Sequence, residues 1–357
     1  MNRENFLKFA GMKLSFIPAV GIALLLGTSL CGCDDAVEFH NDPLGNFDAL
    51  WSVIDRQYCY FDEKDLDWNA IREKYRPMID SETTQSGLFD ILSDMLDELK
   101  DGHVNLTAPF STSYYRAWWS DYPSDFRWRT IQQDYLDFNY YSVSGINYAV
   151  FATETGRIGY MYYPSFSTVV GEGSLDYIMS ALQDCNGLII DIRDNGGGLL
   201  TNIDVLVGRL IDSEVSGGSI RHKTGPGHND FSDPYPISYK PADKERVKWN
   251  GAPVVLLTNR GCYSAANDFA AVMKSLPNVT LIGARTGGGG GLPFSSELPN
   301  GWGIRFSASP ITDTEGNPTE FGIDPDIEVH ASDQELIEGK DAILNAAVKY
   351  LVSNFPD

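Results

Sequence analysis

Ser264 is the residue of this chain whose type and setting best fit a nucleophile. An apolar run over residues 253–258 is followed by Gly261, and a helical pattern begins at or beside Ser264. A hydroxyl at a helix N-terminus gains from the helix dipole when negative charge develops next to it. The alternative is structural, because serine is a favoured N-cap and the same pattern arises for that reason alone.

His103 is the best candidate for a general base. It follows Asp101-Gly102, where a helix is predicted to stop, and it precedes a predicted strand. An imidazole in that position is free to reach over a cleft and accept a proton. Most single histidines are only surface or core residues. The chain has five, however, and the other four stand in ordinary acidic, basic or loop contexts.

A glycine-rich turn, Gly196-Gly197-Gly198, follows a second apolar strand. Glycines let backbone N–H groups approach a ligand without obstruction by side chains, which suits an oxyanion hole or a phosphate nest. A nucleotide-binding phosphate loop would have Lys and then Ser or Thr after the glycines. Here Leu199-Leu200 stands instead, so the turn is not a phosphate loop of that kind.

The elements that must position these residues follow from hydrophobic periodicity. Apolar residues at helical spacing predict a small helical domain over residues 42–102. Beyond it, short β-like runs alternate with helical runs, which predicts an α/β core with parallel pairing. The β-like runs are 158–162, 187–192, 253–258 and 279–283, and the helical runs are 175–182 and 265–276.

Two further segments lack a regular period. Residues 108–144 are rich in aromatic side chains, so we expect them to cover an edge of the core or to line a substrate groove. Residues 214–250 contain several glycines and prolines and are expected to form a long surface excursion.

The first thirty residues have the layout of a secretory signal, with sparse positive charge and then an apolar run from Leu14 to Leu30. The run ends in Leu30-Cys31-Gly32-Cys33, which resembles the lipobox of bacterial lipoproteins. We therefore expect residues 1–32 to be removed and Cys33 to be lipidated. The protein would then be exported and lipid-anchored to the cell envelope. An uncleaved N-terminal anchor is the alternative.

Composition restricts the remaining function classes. The 357 residues are 43% hydrophobic, enough for one large domain or one domain with a small helical companion. The net charge is −22 and no basic run stands out, so no nucleic-acid partner is expected. Cys59, Cys185 and Cys262 lack paired spacing, so neither a disulfide framework nor a metal site is expected. Cys262 is predicted to be a small buried residue.

Several ordered motifs together resemble the C-terminal processing peptidases and, more closely, the branch that includes the tricorn core protease. The resemblance runs from about Trp51 to Val329. Its motifs are Trp51-Ser-Val-Ile-Asp with Asp67-Trp-Asn, Leu99-Lys-Asp-Gly-His-Val, Ile189-Ile-Asp-Ile-Arg-Asp-Asn with the glycine triplet, Ser264-Ala-Ala, and Glu320-Phe-Gly-Ile-Asp-Pro-Asp-Ile-Glu-Val.

The resemblance implies a serine peptidase that cleaves peptides or unfolded proteins, as an endopeptidase or at carboxyl termini, without a cofactor. Ser264 would attack the peptide carbonyl, His103 would take its proton, and Glu320 would orient the imidazole. The implied oxyanion and substrate-binding groups are the backbone amides at Gly196, Gly197 and Ala265.

The implied fold is the crotonase-like (ClpP/crotonase) α/β superfold of β-β-α units, preceded by the small helical domain. The predicted division is a signal at 1–32, a linker and helical domain at 33–102, and a peptidase domain at 103–357. The stretch between His103 and Ile158 is too short for the full PDZ module that many relatives insert. The sequence makes no prediction for the oligomeric state.

Three positions depart from the family pattern. Gly289 stands where relatives with a Ser-Lys dyad have the lysine, so a histidine base is the only arrangement left. Gly102 replaces the serine that tricorn-like enzymes place before the histidine, and Asn267 replaces a frequent Glu.

Two other functions fit the same fold. One is a non-catalytic ligand- or peptide-binding protein, as in the related retinoid-binding proteins of the eye. The other is a crotonase-like acyl-CoA enzyme, against which the export signal argues because CoA substrates are cytoplasmic.

Overall fold

The computed structural model describes residues 38–122 and 124–355. The predicted signal and Cys33 lie outside the described residues. The described α-helices are α1 (Pro43–Gln57), α2 (Trp68–Tyr75), α3 (Gln85–Asp97), α4 (Ala117–Ser120), α5 (Trp128–Thr130), α6 (Glu172–Leu182), α7 (Thr201–Gly208), α8 (Ala265–Lys274), α9 (Asp333–Ile337) and α10 (Ala342–Ser353). No helix in this part of the chain is long and apolar enough to cross a membrane.

The strands belong to two sheets. They are β1 (Asn105–Ala108), β2 (Ser111–Thr112), β3 (Tyr141–Val143), β4 (Ile146–Ala152), β5 (Arg157–Tyr162), β6 (Gly187–Asp191), β7 (Val215–Ile220), β8 (Tyr235–Tyr239), β9 (Val254–Thr258), β10 (Val279–Gly283), β11 (Gly291–Glu297), β12 (Gly303–Thr312) and β13 (Ile327–Glu328). Short turns of 3₁₀-helix at Arg76–Met78 and Thr319–Phe321 and of π-helix at Ile131–Tyr135 complete the described elements.

A seven-stranded sheet, in the order β13-β10-β9-β6-β5-β4-β3, forms the centre of the fold. Within this sheet the neighbouring strands β13, β10, β9, β6 and β5 pair in parallel. Strands β4 and β3 add an antiparallel edge next to β5. Strands β6 and β9 are buried at every residue, as expected for parallel strands covered on both faces. The predicted α/β class is therefore correct at the level of a mixed α/β fold.

Alternate residues of the central strands supply two hydrophobic cores. Leu188 and Leu256 pack with helices α6 and α8 on one face. Ile189 and Leu257 pack with α10 and with residues 126–136 on the other. The helices therefore cover both faces of the sheet, and the loops at the carboxyl ends of β6 and β9 remain free to form a site.

The second sheet has the order β2-β1-β12-β7-β8, with β11 also paired to β12. Helices α1 to α3 share a hydrophobic core with it, in which Phe47 and Leu92 lie with Leu106, Trp302 and Phe306. Residues Phe39–Asp357 form one compact unit by their contacts, so the predicted boundary at residue 102 falls inside that unit.

The predicted elements agree with the structure within a few residues. The four β-like runs become β5, β6, β9 and β10, and the two helical runs become α6 and α8. The expectation for residues 214–250 was wrong in part, because β7 and β8 form a hairpin whose β7 pairs with β12. Periodicity missed the hairpin because β7 has two glycines and β8 is largely exposed.

Candidate active site

Ser264 lies between the loop that leaves β9 and the first turn of α8. Its φ of 55° and ψ of −125° are angles that residues with a side chain rarely adopt. Its N–H donates to the carbonyl of Gly288 at 2.9 Å, which holds the turn in place. The hydroxyl makes no capping hydrogen bond to α8, so the structural alternative considered from the sequence does not describe this serine.

His103 lies directly opposite this hydroxyl. The distance from His103 Nε2 to Ser264 Oγ is 3.0 Å, within the range for proton transfer. The backbone N–H of His103 donates to Asp101 Oδ1 at 2.8 Å, and the turn closes with a bond from Val104 N to Asp101 O. Only 4% of His103 is exposed, so the ring is held in one place.

Ser307 lies on the other side of the imidazole. This buried residue of β12 places its Oγ 3.5 Å from His103 Nδ1. Its hydroxyl also faces Asp101 and helps to lower the pKa of that carboxyl. Sequence reasoning missed Ser307 because it stands in the middle of a strand, with no neighbouring motif to mark it.

Glu320 lies in the same buried region, but it does not contact the imidazole. Its Oε1 accepts from Lys64 Nζ at 2.7 Å, and its Oε2 has no hydrogen-bond partner among the described residues. Lys64 in turn lies 3.9 Å from Asp101 Oδ2. Glu320, predicted to help orient the imidazole, therefore makes no direct contact with the ring, and Ser307 occupies the Nδ1 side.

Burial and neighbouring charges determine the protonation of this cluster. Burial raises the pKa of Glu320 to about 8, with a further rise from Asp101 that Lys64 opposes. Burial alone would raise the pKa of Asp101, but Lys64 and His103 outweigh it and the pKa is lowered. Lys64 responds in the opposite sense, because the two carboxylates raise its pKa despite burial. Asp101 is therefore ionised and Lys64 protonated at neutral pH.

His103 is neutral at physiological pH. Burial lowers its pKa to about 4, although the carboxylate of Asp101 acts in the opposite direction. A neutral imidazole with Nε2 facing a hydroxyl can accept its proton, whereas an imidazolium cannot.

The predicted oxyanion groups are not equivalent: Ala265 follows Ser264 directly and Gly197 packs against it, whereas Gly196 lines the adjoining cavity at Trp118. The N–H groups of Gly196 and Ala265 have no acceptor in the part of the chain that the structure describes. The N–H of Gly197 instead donates to Asn195 Oδ1 at 2.9 Å. Gly197 has a φ of 94°, and a Cβ there would lie 2.8 Å from Ser264 Cβ and 3.0 Å from Ala265 N. Gly197 therefore supplies space, and the free donors are the other two amides.

The ring of Tyr263 explains two departures from the family pattern. A Cβ at Gly289, where φ is 79°, would lie 2.4 Å from this ring, so the site has no room for a dyad lysine. A Cβ at Gly102 would lie 2.8 Å from the Tyr263 hydroxyl and 2.5 Å from Trp118 Nε1. Trp118 stacks on Tyr263 with ring centroids 4.0 Å apart. One aromatic pair thus fills the space of both missing side chains.

Two cavities open beside this pair. One of about 350 Å³ is lined by Trp118, Tyr122, Gly196 and Arg260, among others. The other, of about 430 Å³, is lined by residues that include Lys64 and Glu320. The aromatic segment over residues 108–144 therefore lines a groove here, and its later part covers the core through residues 126–136.

Cys262 is not part of this chemistry. It is fully buried, its S–H donates to the carbonyl of Ile192 at 3.0 Å, and burial raises its pKa far above the ordinary value. The predicted role of a small buried residue is confirmed.

Comparison with known proteins identifies the family. The model of Peptidase family S41 matches residues 157–329, and that of the Tricorn protease C1 domain matches residues 39–97. A protein of Parabacteroides merdae ATCC 43184 with a crystal structure is 46% identical in sequence to this chain. The two structures superpose with a TM-score of 0.82, and the match covers 87% of this chain and 97% of that chain. The chain belongs to peptidase family S41. The S41 match contains Ser264 and Glu320, whereas His103 lies between the two matched segments.

Curated relatives of this S41 chain are more distant. The Tricorn protease of Thermoplasma acidophilum is 26% identical over 200 residues, which is 55% of this chain and 17% of that protein. The carboxy-terminal processing protease CtpA of Bacillus subtilis is 27% identical over 188 residues, which is 52% of this chain and 38% of that protein. The matches thus span less than two fifths of the length of either relative.

Proposed function

We propose that this S41 chain hydrolyses peptide bonds, with Ser264 as nucleophile and His103 as general base. The observation that carries the proposal is the 3.0 Å contact between Ser264 Oγ and His103 Nε2, made by a buried imidazole whose pKa is about 4. A binding protein has no need of a neutral base held against a serine hydroxyl on a strained turn.

The arrangement supports acyl transfer in two stages. In the first, Ser264 Oγ attacks the peptide carbonyl carbon while Nε2 of His103 accepts the hydroxyl proton. Negative charge then develops on the carbonyl oxygen, where the free amides of Gly196 and Ala265 and the N-terminal end of α8 stabilise it. His103 passes the proton to the leaving amine, which frees one peptide product and leaves an ester on Ser264.

In the second stage water reverses these roles. His103 takes a proton from water, the resulting hydroxide attacks the ester, and Ser264 recovers its proton as the second product leaves. The charged imidazole formed in each stage lies near the ionised carboxylate of Asp101, which acts to raise the pKa of His103. Asp101 is therefore a positioning and charge-stabilising residue.

The substrates that fit this site are peptides and unfolded proteins, cleaved internally or near the carboxyl terminus. The aromatic groove at Trp118 and Tyr122 gives an extended chain a surface to pack on. The name of the Bacillus subtilis relative, a carboxy-terminal processing protease, supports the second mode. We also propose that the mixed α/β core follows the crotonase-like arrangement of β-β-α units.

A fluorophosphonate probe tests the proposal directly. The probe should form a covalent adduct with the protein, and peptide mapping by mass spectrometry should locate that adduct on Ser264. An adduct on another residue, or labelling that persists in Ser264→Ala, would contradict the nucleophile assignment. A protein that binds peptides but is neither labelled nor able to cleave them would support the non-catalytic alternative.

The contacts around His103 predict unequal effects for the two nearby carboxylates. Asp101→Asn removes the opposite charge next to the imidazole, and such a charge shifts a pKa by about 1–3 units. We therefore expect kcat to fall roughly tenfold or more, with the acid limb of the pH–rate profile shifted to lower pH. Glu320→Gln should lower kcat by less than Asp101→Asn does, because Glu320 is largely protonated and does not contact the ring. A larger loss in Glu320→Gln would restore the orienting role expected from the sequence.

Localisation is a separate proposal that rests on residues outside the described range. We expect Cys33 to carry acyl chains, whose buried methylene groups contribute about 0.8 kcal/mol each to membrane attachment. Cys33→Ser should release the protein from the membrane fraction or leave it as an unprocessed precursor. Metabolic labelling with a palmitate analogue measures this. Absence of label in the wild type, or normal processing and sedimentation of Cys33→Ser, would contradict the anchor.

A further inference from the structure

The buried carboxyl group of Asp268 has no role in the reaction described above. Asp268 lies on α8, one helical turn beyond Ser264, which places the two residues roughly 6 Å apart along the helix axis. Its Oδ1 is buried and has no hydrogen-bond partner among the described residues. An unpartnered buried acid is costly to the fold, so a partner from outside the chain is the natural explanation.

Asp268 lines a cavity of about 250 Å³ that lies between α8 and the β7–β8 hairpin. Leu200, the second residue after the glycine turn, and Thr319, which directly precedes Glu320, also line it. The cavity therefore adjoins the site at Ser264. Its volume is below the roughly 300–1,000 Å³ of pockets for whole small molecules, and it is suited to a single side chain.

The polar groups of this cavity are acidic. Asp204, Tyr239 and Asp268 all line it. Burial raises the pKa of Tyr239, and the carboxylates of Asp268 and Asp204 raise it further. Burial also raises the pKa of Asp268 to about 7, and the neighbouring Thr319 and Asn267 act to lower it. Asp204 is exposed whereas Asp268 is only partly so, which indicates that Asp204 is nearer the solvent end, or mouth, of the cavity. No Lys, Arg or His is among the lining residues that the structure describes.

The remaining wall is aliphatic. Ile220, Ile237 and Ile311 line the cavity between the two acids, on strands β7, β8 and β12. Such walls suit the methylene stem of a long basic side chain, whose charged end then meets a carboxylate.

We propose that this cavity is a substrate subsite that receives the side chain of a Lys or Arg residue next to the scissile bond. The inference rests on the proposed peptidase function and specifies its substrate class. Asp268 pairs with the charged end of the side chain, and Asp204 attracts it at the mouth. An uncharged aliphatic side chain would fill the walls but leave Asp268 without a partner, which disfavours such substrates.

Binding of a side-chain analogue tests the subsite without requiring hydrolysis. n-Butylguanidinium carries the stem and charge of arginine, and n-butanol is its neutral counterpart. Calorimetry on the full chain should show n-butylguanidinium binding to the wild type and to Asp184→Asn, an exposed control with the same charge change. Asp268→Asn should weaken this binding at least about tenfold, and n-butanol should not distinguish the three proteins. No binding to the wild type, or equal binding to Asp268→Asn, would overturn the subsite.

Should Asp268→Asn fail to fold, as judged by circular dichroism, Asp204→Asn provides the second variant, with a smaller loss of affinity expected at the mouth. Undiminished binding in Asp204→Asn would then count against the subsite.

Cleavage of a peptide library, read by mass spectrometry, separates this inference from the peptidase proposal. Wild type should enrich Lys and Arg at one position beside the scissile bond, and Asp268→Asn should reduce that enrichment at least about tenfold. Fluorophosphonate labelling of Ser264 without basic enrichment would overturn the subsite and leave the peptidase proposal intact. Binding of n-butylguanidinium that depends on Asp268, with no labelling of Ser264, would contradict the peptidase proposal and leave a cation-binding cavity.

Discussion

Ser264→Ala is expected to lower kcat/KM for peptide hydrolysis by about 10⁴-fold or more, because the acyl-enzyme can no longer form. The fold should survive. The side chain of Ser264 makes no capping bond to α8, and its hydrogen bond to Gly288 uses only the backbone. Steady-state kinetics with an internally quenched peptide measures the loss, and thermal unfolding checks the fold.

Cys262→Ala is the matched control for this experiment. The thiol lies two residues before Ser264, yet it is fully buried, and burial raises its pKa so that little thiolate forms. We expect Cys262→Ala to retain hydrolysis within a few-fold of the wild type. If Cys262→Ala lost activity as Ser264→Ala does while remaining folded, the thiol would be the better candidate for the nucleophile.

His103→Ala is the second large effect, with an expected loss of several orders of magnitude in kcat. Lys64 is another basic residue of this buried cluster, but Asp101 and Glu320 raise its pKa and keep it protonated. Position 289 offers no space for a lysine, as the Tyr263 ring shows. His222→Ala is the control, because that histidine is exposed and, within the described residues, its ring forms a hydrogen bond only with Ser309.

The pKa of His103 predicts how the rate of hydrolysis depends on pH. His103 accepts a proton only when neutral, and burial lowers its pKa to about 4. The kcat/KM of the wild type should therefore be constant from about pH 6 upward and should fall as the pH drops through about 4. An inflection near the ordinary histidine value of about 6.5 would show that the imidazole titrates as a solvated group. Hydrolysis by His103→Ala with an unchanged profile would assign the base to another residue.

The parts of the fold that follow from local pattern could be predicted from the sequence. Strands β6 and β9 are continuous apolar runs because both of their faces are buried, so their bounds were visible. Ser264 could be recognised as a candidate nucleophile for a related reason, since it stands where such a strand is followed by a helix. The hairpin β7–β8 was not visible, because its pairing with β12 is set by distant residues.

Within the site, the sequence could predict residue types but not contacts. Ser264 and His103 were chosen by type and position, and the structure brings them together. Glu320 lies in the same buried region as His103, but its contact is with Lys64, a residue between α1 and α2 that no motif marks. Ser307 carries no local signal, since its place beside His103 depends on the register of β12 against β1.

The ring of Tyr263 fills space left by two glycines, and the sequence alone does not show this. The glycines at 102 and 289 could be recognised only as losses of a serine and a lysine. In the structure both losses are accommodated by one ring that stacks on Trp118 and lies 5.0 Å from the imidazole. A larger side chain at one position can fill the space of smaller residues at distant positions, and this can be recognised only once the packing is known.

The contact between Lys64 and Glu320 also bears on when this site can form during synthesis of the chain. It joins α1–α3 to the turn before β13, and the contact between His103 and Ser264 spans 161 residues. Because such long-range contacts form late and chains emerge N-terminus first, a nascent chain holds the proposed base His103 well before the proposed nucleophile Ser264. A chain that ends before residue 264 therefore lacks the pairing of His103 with Ser264 on which the proposed hydrolysis depends.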